Sequence, residues 1–240
     1  MTKTRSIRAE TAKSVTSARR GRPPSLSPWR DLAARSADRE RKRTALIHAA
    51  ARAFRANGFH NTSLDDVAAA VGVTKPLVYL YVGNKQQLLF ECFRTGVEQI
   101  RGAFQHAEQT GRTARERLLQ VLVGYAEAIT GDFGWCMVRA EDLDLTPELS
   151  SRVKVLKSEI DQGLRRLLRA GMDDGSISAC DPKMTAFALA GALNWIAHWH
   201  RGRDALTPAE IASRFIDFFE QGLAPRLGRS SRVRARRSAS

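Results

Sequence analysis

Apolar residues recur with a helical period over most of the chain, and breakers punctuate that period at regular intervals. From about Asp38 to Asn57, in DRERKRTALIHAAARAFRAN, the residues Leu46, Ile47, Ala50 and Phe54 fall on one stripe, the spacing of an amphipathic helix with one buried face. The stripe stops at Gly58. A glycine followed by an apolar Phe59 predicts a Schellman stop in which Phe59 folds back onto Phe54.

The next segment, NTSLDDVAAAVGVTKPLVYLYVGNK, predicts two short helices and the start of a long one. Thr62 with Asp65, or Ser63 with Asp66, has capping-box spacing for a helix over 64–71, where the acids also suit the positive end of the helix dipole. Gly72 breaks that helix. Thr74 is placed to cap a third helix with Pro76 in its first turn, where a missing N–H costs nothing, and Asn84 a fourth. Further helices are predicted over 85–108, 113–130, about 133–143, 147–172, 182–200 and 207–223. No strand and no internal repeat is indicated, so the fold class is all-α with about nine helices.

Charge changes the picture because of where it lies. The formal net charge is +14, yet residues 1–43 carry +9 and residues 226–240 carry +6, which leaves the 182 residues between them at −1. A nearly neutral body with two basic, low-complexity ends points to a polyanionic partner, nucleic acid before an anionic membrane surface. Cys92, Cys136 and Cys180 are widely spaced with no CxxC, which predicts neither a disulfide framework nor a zinc site. The N-terminus has no apolar signal region and no window approaches a membrane span, so a soluble, cytoplasmic protein without membrane association is expected.

Two short helices joined by a glycine turn form the helix-turn-helix pattern, whose second helix enters the major groove. Leu64, Val67, Ala68, Val71, Val73 and Val78 supply its interior, while Lys75, Pro76, Leu77, Tyr79 and Leu80 give the second helix outward groups too apolar for an idle solvent face. Residues 44–90 resemble the DNA-binding domain of TetR-like transcriptional repressors. The resemblance rests on A-x-x-x-F-x-x-x-G-[FY]-x-x-[TS]-[TS], on V-A-x-x-x-G-V-[ST], and on Y-x-[HY]-[FV]-x-[NS]-K-x-x-L, all at fixed spacing. It implies a homodimer with one reading head per subunit and a larger helical C-terminal domain that binds a small-molecule effector.

Chemistry and resemblance together assign the DNA-binding residues. Thr62, Ser63 and Thr74 sit at helix starts, where hydroxyls and free N–H groups favour phosphate. Tyr79, Tyr81 and Lys85 match family positions that hold the DNA backbone. Lys75, the only charge on the reading helix, is assigned to guanine O6/N7, with Pro76 and Leu77 or Leu80 against thymine methyls. Leu77 stands where Ser or Thr is frequent, Gln86 where Glu is frequent, and Val82 in place of Phe. Asp65 occupies an outward position where other members often carry a base, so base contact from the helix over 64–71 is not expected.

In the C-terminal half, Tyr125, Phe133, Trp135, Cys136, Asn194 and His198 are the expected lining of an effector cavity. The last two helices are broad and aromatic. In the family these helices form a four-helix dimer interface, which assigns Phe187, Gly191, Trp195, Phe215 and Phe219 to it. The phrases DGSIxxxDP, GALNWxxxW and TPAEIAxxF resemble the subset of the family that controls lipid, acyl-CoA or steroid breakdown. His198 and His200, two apart on a helix, point to different faces, so no metal site is expected and no cofactor.

The domain organisation expected is a disordered basic arm over 1–37, a DNA-binding domain over 38–88, an effector and dimerisation domain over 89–225, and a basic tail over 226–240. The function expected is that of a one-component repressor, not an enzyme, binding double-stranded DNA at a palindromic operator. Its alternatives are an architectural DNA-binding protein without an effector and an enzyme acting on an apolar substrate. ARRGRPPS at 18–25 has two readings, an AT-hook-like segment that sets Arg20 and Arg22 in a minor groove or a bare tether.

Overall fold

A computed structural model describes residues 28–139, 145–200 and 206–221, without the side chains of 28–35, 208 and 221. Arg20, Arg22 and the C-terminal tail lie outside the described residues. The chain divides into two compact units, 1–40 and 41–240; the contacts below belong to the second. Among the described residues there are nine helices and no strand: α1 Pro28–Asn57, α2 Leu64–Ala70, α3 Lys75–Val82, α4 Lys85–Thr110, α5 Ala114–Thr130, α6 Gly134–Arg139, α7 Pro147–Asp173, α8 Pro182–Trp199 and α9 Pro208–Gln221. None is long and apolar enough to cross a membrane.

Helix α1 begins at Pro28, ten residues before the predicted Asp38. Proline suits a first helical position, and Trp29, Leu32, Ala33 and Ala37 keep a helical spacing, but only two of them are large, so the stripe is weaker than the one from Leu46 to Phe54. The helix stops at Gly58, whose φ of 80° is the left-handed conformation that glycine adopts without a Cβ penalty. Its N–H donates to the Phe54 carbonyl at 2.9 Å, the single bond of the simple αL stop rather than the paired bonds of a Schellman motif. Phe59 folds back as predicted, its ring centroid 5.5 Å from that of Phe54.

Of the two capping boxes the sequence allowed, Ser63 with Asp66 forms. Ser63 N–H and hydroxyl both donate to Asp66 at 2.7 Å, and the Ser63 Oγ accepts from Asp66 N–H at 3.1 Å. The Ser63 backbone N–H and then its hydroxyl hold the Asp66 carboxyl below the usual carboxylate range. The α2–α3 turn closes through Val73 N–H to Ala68 O at 3.0 Å, with Gly72 at φ 68°. Leu64, Val67, Ala68, Val78 and Val82 are buried beneath it. Asn84 caps α4 by accepting from Gln87 N–H at 2.8 Å.

The body is built on α4, which packs along α5 and also against α6 and α7, while α5 packs on α7, α8 and α9. Arg115 on α5 is ion-paired to Glu220 on α9. Glu91 ties α4 to α1: it is buried and accepts from Arg43 Nη2 at 2.7 Å and from Arg94 Nε and Nη2 at 3.0 and 2.9 Å. Burial alone would raise its pKa, but the hydrogen bonds from Arg43 and Arg94 outweigh it and hold the carboxyl below the ordinary glutamate value of 4.5. A carboxyl depressed by folding stabilises above its unfolded pKa and loses that contribution as pH falls through the folded value. Glu91→Gln is therefore expected to cost about 2 kcal/mol at neutral pH. In urea titrations that deficit should stay constant down to about pH 4.5 and close at lower pH; a deficit independent of pH would remove the carboxylate charge as its cause.

Candidate nucleic-acid interface and ligand cavities

Helix α3 presents an outward face with no acid. Tyr79 is 49% exposed and Leu80 66% exposed, while Pro76 and Thr74 are also open to solvent and Leu77 is half-buried. The hydroxyl of Thr74, at the N-cap, makes no capping bond. Large apolar side chains left this open on a short helix are the kind of surface that marks an interaction site. Tyr81 is half-buried against the core.

An open cleft of about 630 Å³ runs beside this face, lined by residues at the starts of α2 and α4 together with Lys75 and Tyr79. Lys85 lies at its floor, its Nζ donating to His60 O at 3.2 Å and sitting 4.4 Å from the Phe59 ring centroid. Ser63 is exposed there with its hydroxyl committed to the capping box. Thr62 differs from expectation. It is 1% exposed, and its hydroxyl donates to Gly58 O at 2.8 Å and Ala53 O at 3.2 Å, so it closes the end of α1 instead of offering a group to a phosphate.

Lys75 also carries a partner that spacing did not reveal. Its Nζ donates to Asp65 Oδ2 at 2.6 Å, with both side chains about half exposed. This bond and the Asp65 charge raise the lysine pKa, keeping it protonated. The two residues are ten apart and join through the Gly72 turn, so no i,i+4 rule exposes the pair.

The six residues expected around one effector cavity separate into three groups. Tyr125 and Asn194 line a cavity of about 350 Å³ between α4, α5, α6, α7 and α8, with Phe93, Val97, Met137 and Ala190 as apolar walls and Lys157 and Asp161 at its edge. The Tyr125 hydroxyl donates to Asn194 Oδ1 at 3.1 Å. Burial pushes the Tyr125 phenol up to about 12, with the Asn194 bond opposing that rise, so it stays a neutral O–H donor. Trp135 and His198 line a different cleft at the ends of α5, α6 and α8. Phe133 and Cys136 are core, at 1% and 0% exposure. Burial raises the thiol of Cys92, as does its hydrogen-bonded neighbour Cys136, so Cys92 resists ionisation. Phe93 and Met137 escaped the sequence reading because an apolar wall and an apolar core share one periodicity.

Of the expected dimer residues, Phe187, Gly191 and Trp195 fall on an outer face of α8, with Phe187 also lining the α4–α8 cavity. Phe187 and Trp195 are 50% and 62% exposed, and a Cβ added at Gly191 would meet nothing within 4 Å. Met184 and Trp199 extend this surface. On α9, Phe215 and Phe219 are half-buried against the core and Phe218 is the more exposed.

Residues 46–92 match the family described as "Bacterial regulatory proteins, tetR family", and residues 111–223 match "Tetracyclin repressor-like, C-terminal domain". The HTH-type transcriptional repressor KstR2 of Rhodococcus jostii is 23% identical over 186 residues, covering 76% of this chain and 91% of its own length. Among solved structures, the TetR family transcriptional regulator PfmR of Thermus thermophilus is 25% identical with a TM-score of 0.69, over 75% of this chain and 99% of that one. AibR in complex with isovaleryl coenzyme A and operator DNA shares the fold at a TM-score of 0.65 and 24% identity, over 73% of this chain and 96% of its own. With the helix-turn-helix head matched over 46–92 and helices α5–α9 within 111–223, the chain belongs to the TetR family of bacterial transcriptional regulators.

Proposed function

We propose that the protein is a dimeric, one-component repressor whose α3 helices read a palindromic operator, and that a small, largely apolar effector in the α4–α8 cavity releases it. The observation that carries the DNA reading is the outward face of α3, where Lys75, Tyr79 and Leu80 stand beside a cleft that also holds Lys85. Two such helices held one DNA turn apart meet successive major grooves. The exposed aromatic faces of α8 and α9 support a pairing of two subunits. The basic ends, 1–37 and 226–240, add charge that strengthens binding without selecting sequence.

The cavity supports a modest apolar ligand with one polar anchor, since about 350 Å³ of mostly apolar wall surrounds the Tyr125–Asn194 pair. The likeness to AibR, whose structure holds isovaleryl coenzyme A and operator DNA, favours the acyl portion of an acyl-CoA as the occupant of this cavity among lipid- and steroid-derived candidates. A 100-fold loss of operator affinity requires about 2.7 kcal/mol of coupling between the two sites. The body serves as a sensor in this reading, not as an enzyme, and the protein works in the cytoplasm.

Genome-wide mapping of bound sites, followed by titration of the recovered operator, tests the proposal. Lys75→Ala is expected to weaken the specific site at least tenfold, the worth of about one base contact, while leaving binding to random DNA within twofold. Equal affinity of the wild type for the recovered and random sequences at physiological salt would instead favour an architectural protein.

A further inference from the structure

A second cleft, of about 630 Å³, opens where α1 meets the ends of α5, α6 and α8, and its walls are cationic. Arg52 and Arg55 come from α1, Arg139 from α6, and His198 from α8, against the single carboxylate of Asp132. That carboxylate is already engaged by Arg52 at 3.2 Å and by His48 Nδ1 at 3.4 Å. Arg55 donates to the carbonyls of Thr130, Gly131 and His200 at 3.3, 3.5 and 3.3 Å, so the negative end of the α5 dipole is covered.

Two groups are left over. Arg139 is exposed and makes no hydrogen bond or ion pair among the described residues, and the Nδ1 of His198 is buried with no hydrogen-bond partner. A buried polar atom without a partner costs free energy, and a guanidinium in a concave site is suited to paired bonds to phosphate oxygens. Trp135 adds a half-buried ring to the same wall, and the volume falls within the range of small-molecule sites.

We propose that this cleft is a second ligand site, taking a phosphate-bearing small molecule with a planar ring, and that its occupancy is coupled to DNA binding. Arg139 and His198 contact the phosphate and Trp135 meets the ring. Because Arg52 and Arg55 line the same cleft from the helix that carries the reading head, and their charges attract the phosphate held by α6 and α8, its binding favours one arrangement of α1 on the body. By linkage, the ligand and the operator then change each other's affinity by the same factor.

The test is calorimetric titration of the full-length protein with ADP and with inorganic pyrophosphate at physiological salt, followed by operator titration with and without ADP. Saturable binding, one ADP per subunit and tighter than pyrophosphate, is expected. It should weaken at least tenfold in Arg139→Ala and in His198→Gln, and remain unchanged in Tyr125→Phe and on deletion of residues 226–240. ADP should shift operator affinity at least fivefold in the wild type and not in Arg139→Ala. Three results would overturn the site: no saturable binding, binding indifferent to both substitutions, or binding lost with the tail. ADP no tighter than pyrophosphate would overturn the role of Trp135, and an operator affinity indifferent to bound ADP would overturn the coupling.

Discussion

Trp195→Arg is expected to leave the subunit folded, to convert the dimer to a monomer, and to weaken operator binding at least a hundredfold. Trp195 is 62% exposed and continues a line of outward residues along α8 through Met184, Phe187 and Gly191, at the i, i+3, i+4 spacing that keeps them on one face. Little of its packing within the subunit is at stake, since it stacks mainly on His198, with ring centroids 4.4 Å apart. A two-fold interface uses the same patch on both subunits, so one substitution places two guanidiniums in it. An unpaired charge there costs several kcal/mol, and each 1.4 kcal/mol is about tenfold in affinity. A monomer also holds only one half-site at a time. Sedimentation equilibrium and operator titration measure the two losses, and far-UV circular dichroism confirms the fold. A variant that stays dimeric with full affinity would move the interface off α8.

Phe54→Ala is expected to cost about 3–5 kcal/mol of stability, with loss of operator binding as the head comes apart. Phe54 is fully buried, supplies the carbonyl that stops α1 and packs its ring on Phe59. Phe59 in turn lies under Lys85, so the substitution loosens the packing beneath the residue at the floor of the cleft. Against a total of about 5–15 kcal/mol for a domain, that loss leaves little. Thermal unfolding followed by circular dichroism should show a drop of many degrees. A melting temperature within two degrees of the wild type would mean that the head closes over the cavity.

The sequence made the helical architecture legible because its breakers are local. Gly58, Gly72, Asn84 and Pro182 each act through their own backbone or a cap within three residues, and α4, α5, α7, α8 and α9 begin and end within two residues of expectation. The start of α1 was not legible, because the charged, alanine-rich segment carries only Trp29 and Leu32 as large apolar residues, too weak a stripe to set its boundary. The candidate sites were legible by region and less so by residue. Thr62 has the residue type of a phosphate contact but folds inward, and Trp135 shares a helix with Met137 while facing another cleft. Thr62 turns inward onto the end of α1, to Ala53 and Gly58, the side that Trp135 takes depends on which face of α6 meets neighbours far along the chain, and the Lys75–Asp65 pair depends on the turn between them.

That pair bears on how the head searches DNA. A lysine already neutralised from within adds little to the electrostatic capture that lets a protein slide along any sequence. In the proposed reading Lys75 swings to a base edge and leaves Asp65 beside phosphates, so the exchange is favourable only where the acceptor is well placed. Lys75 thus contributes least while the head scans and most when it stops, which widens the gap between the residence times at random sequence and at the operator.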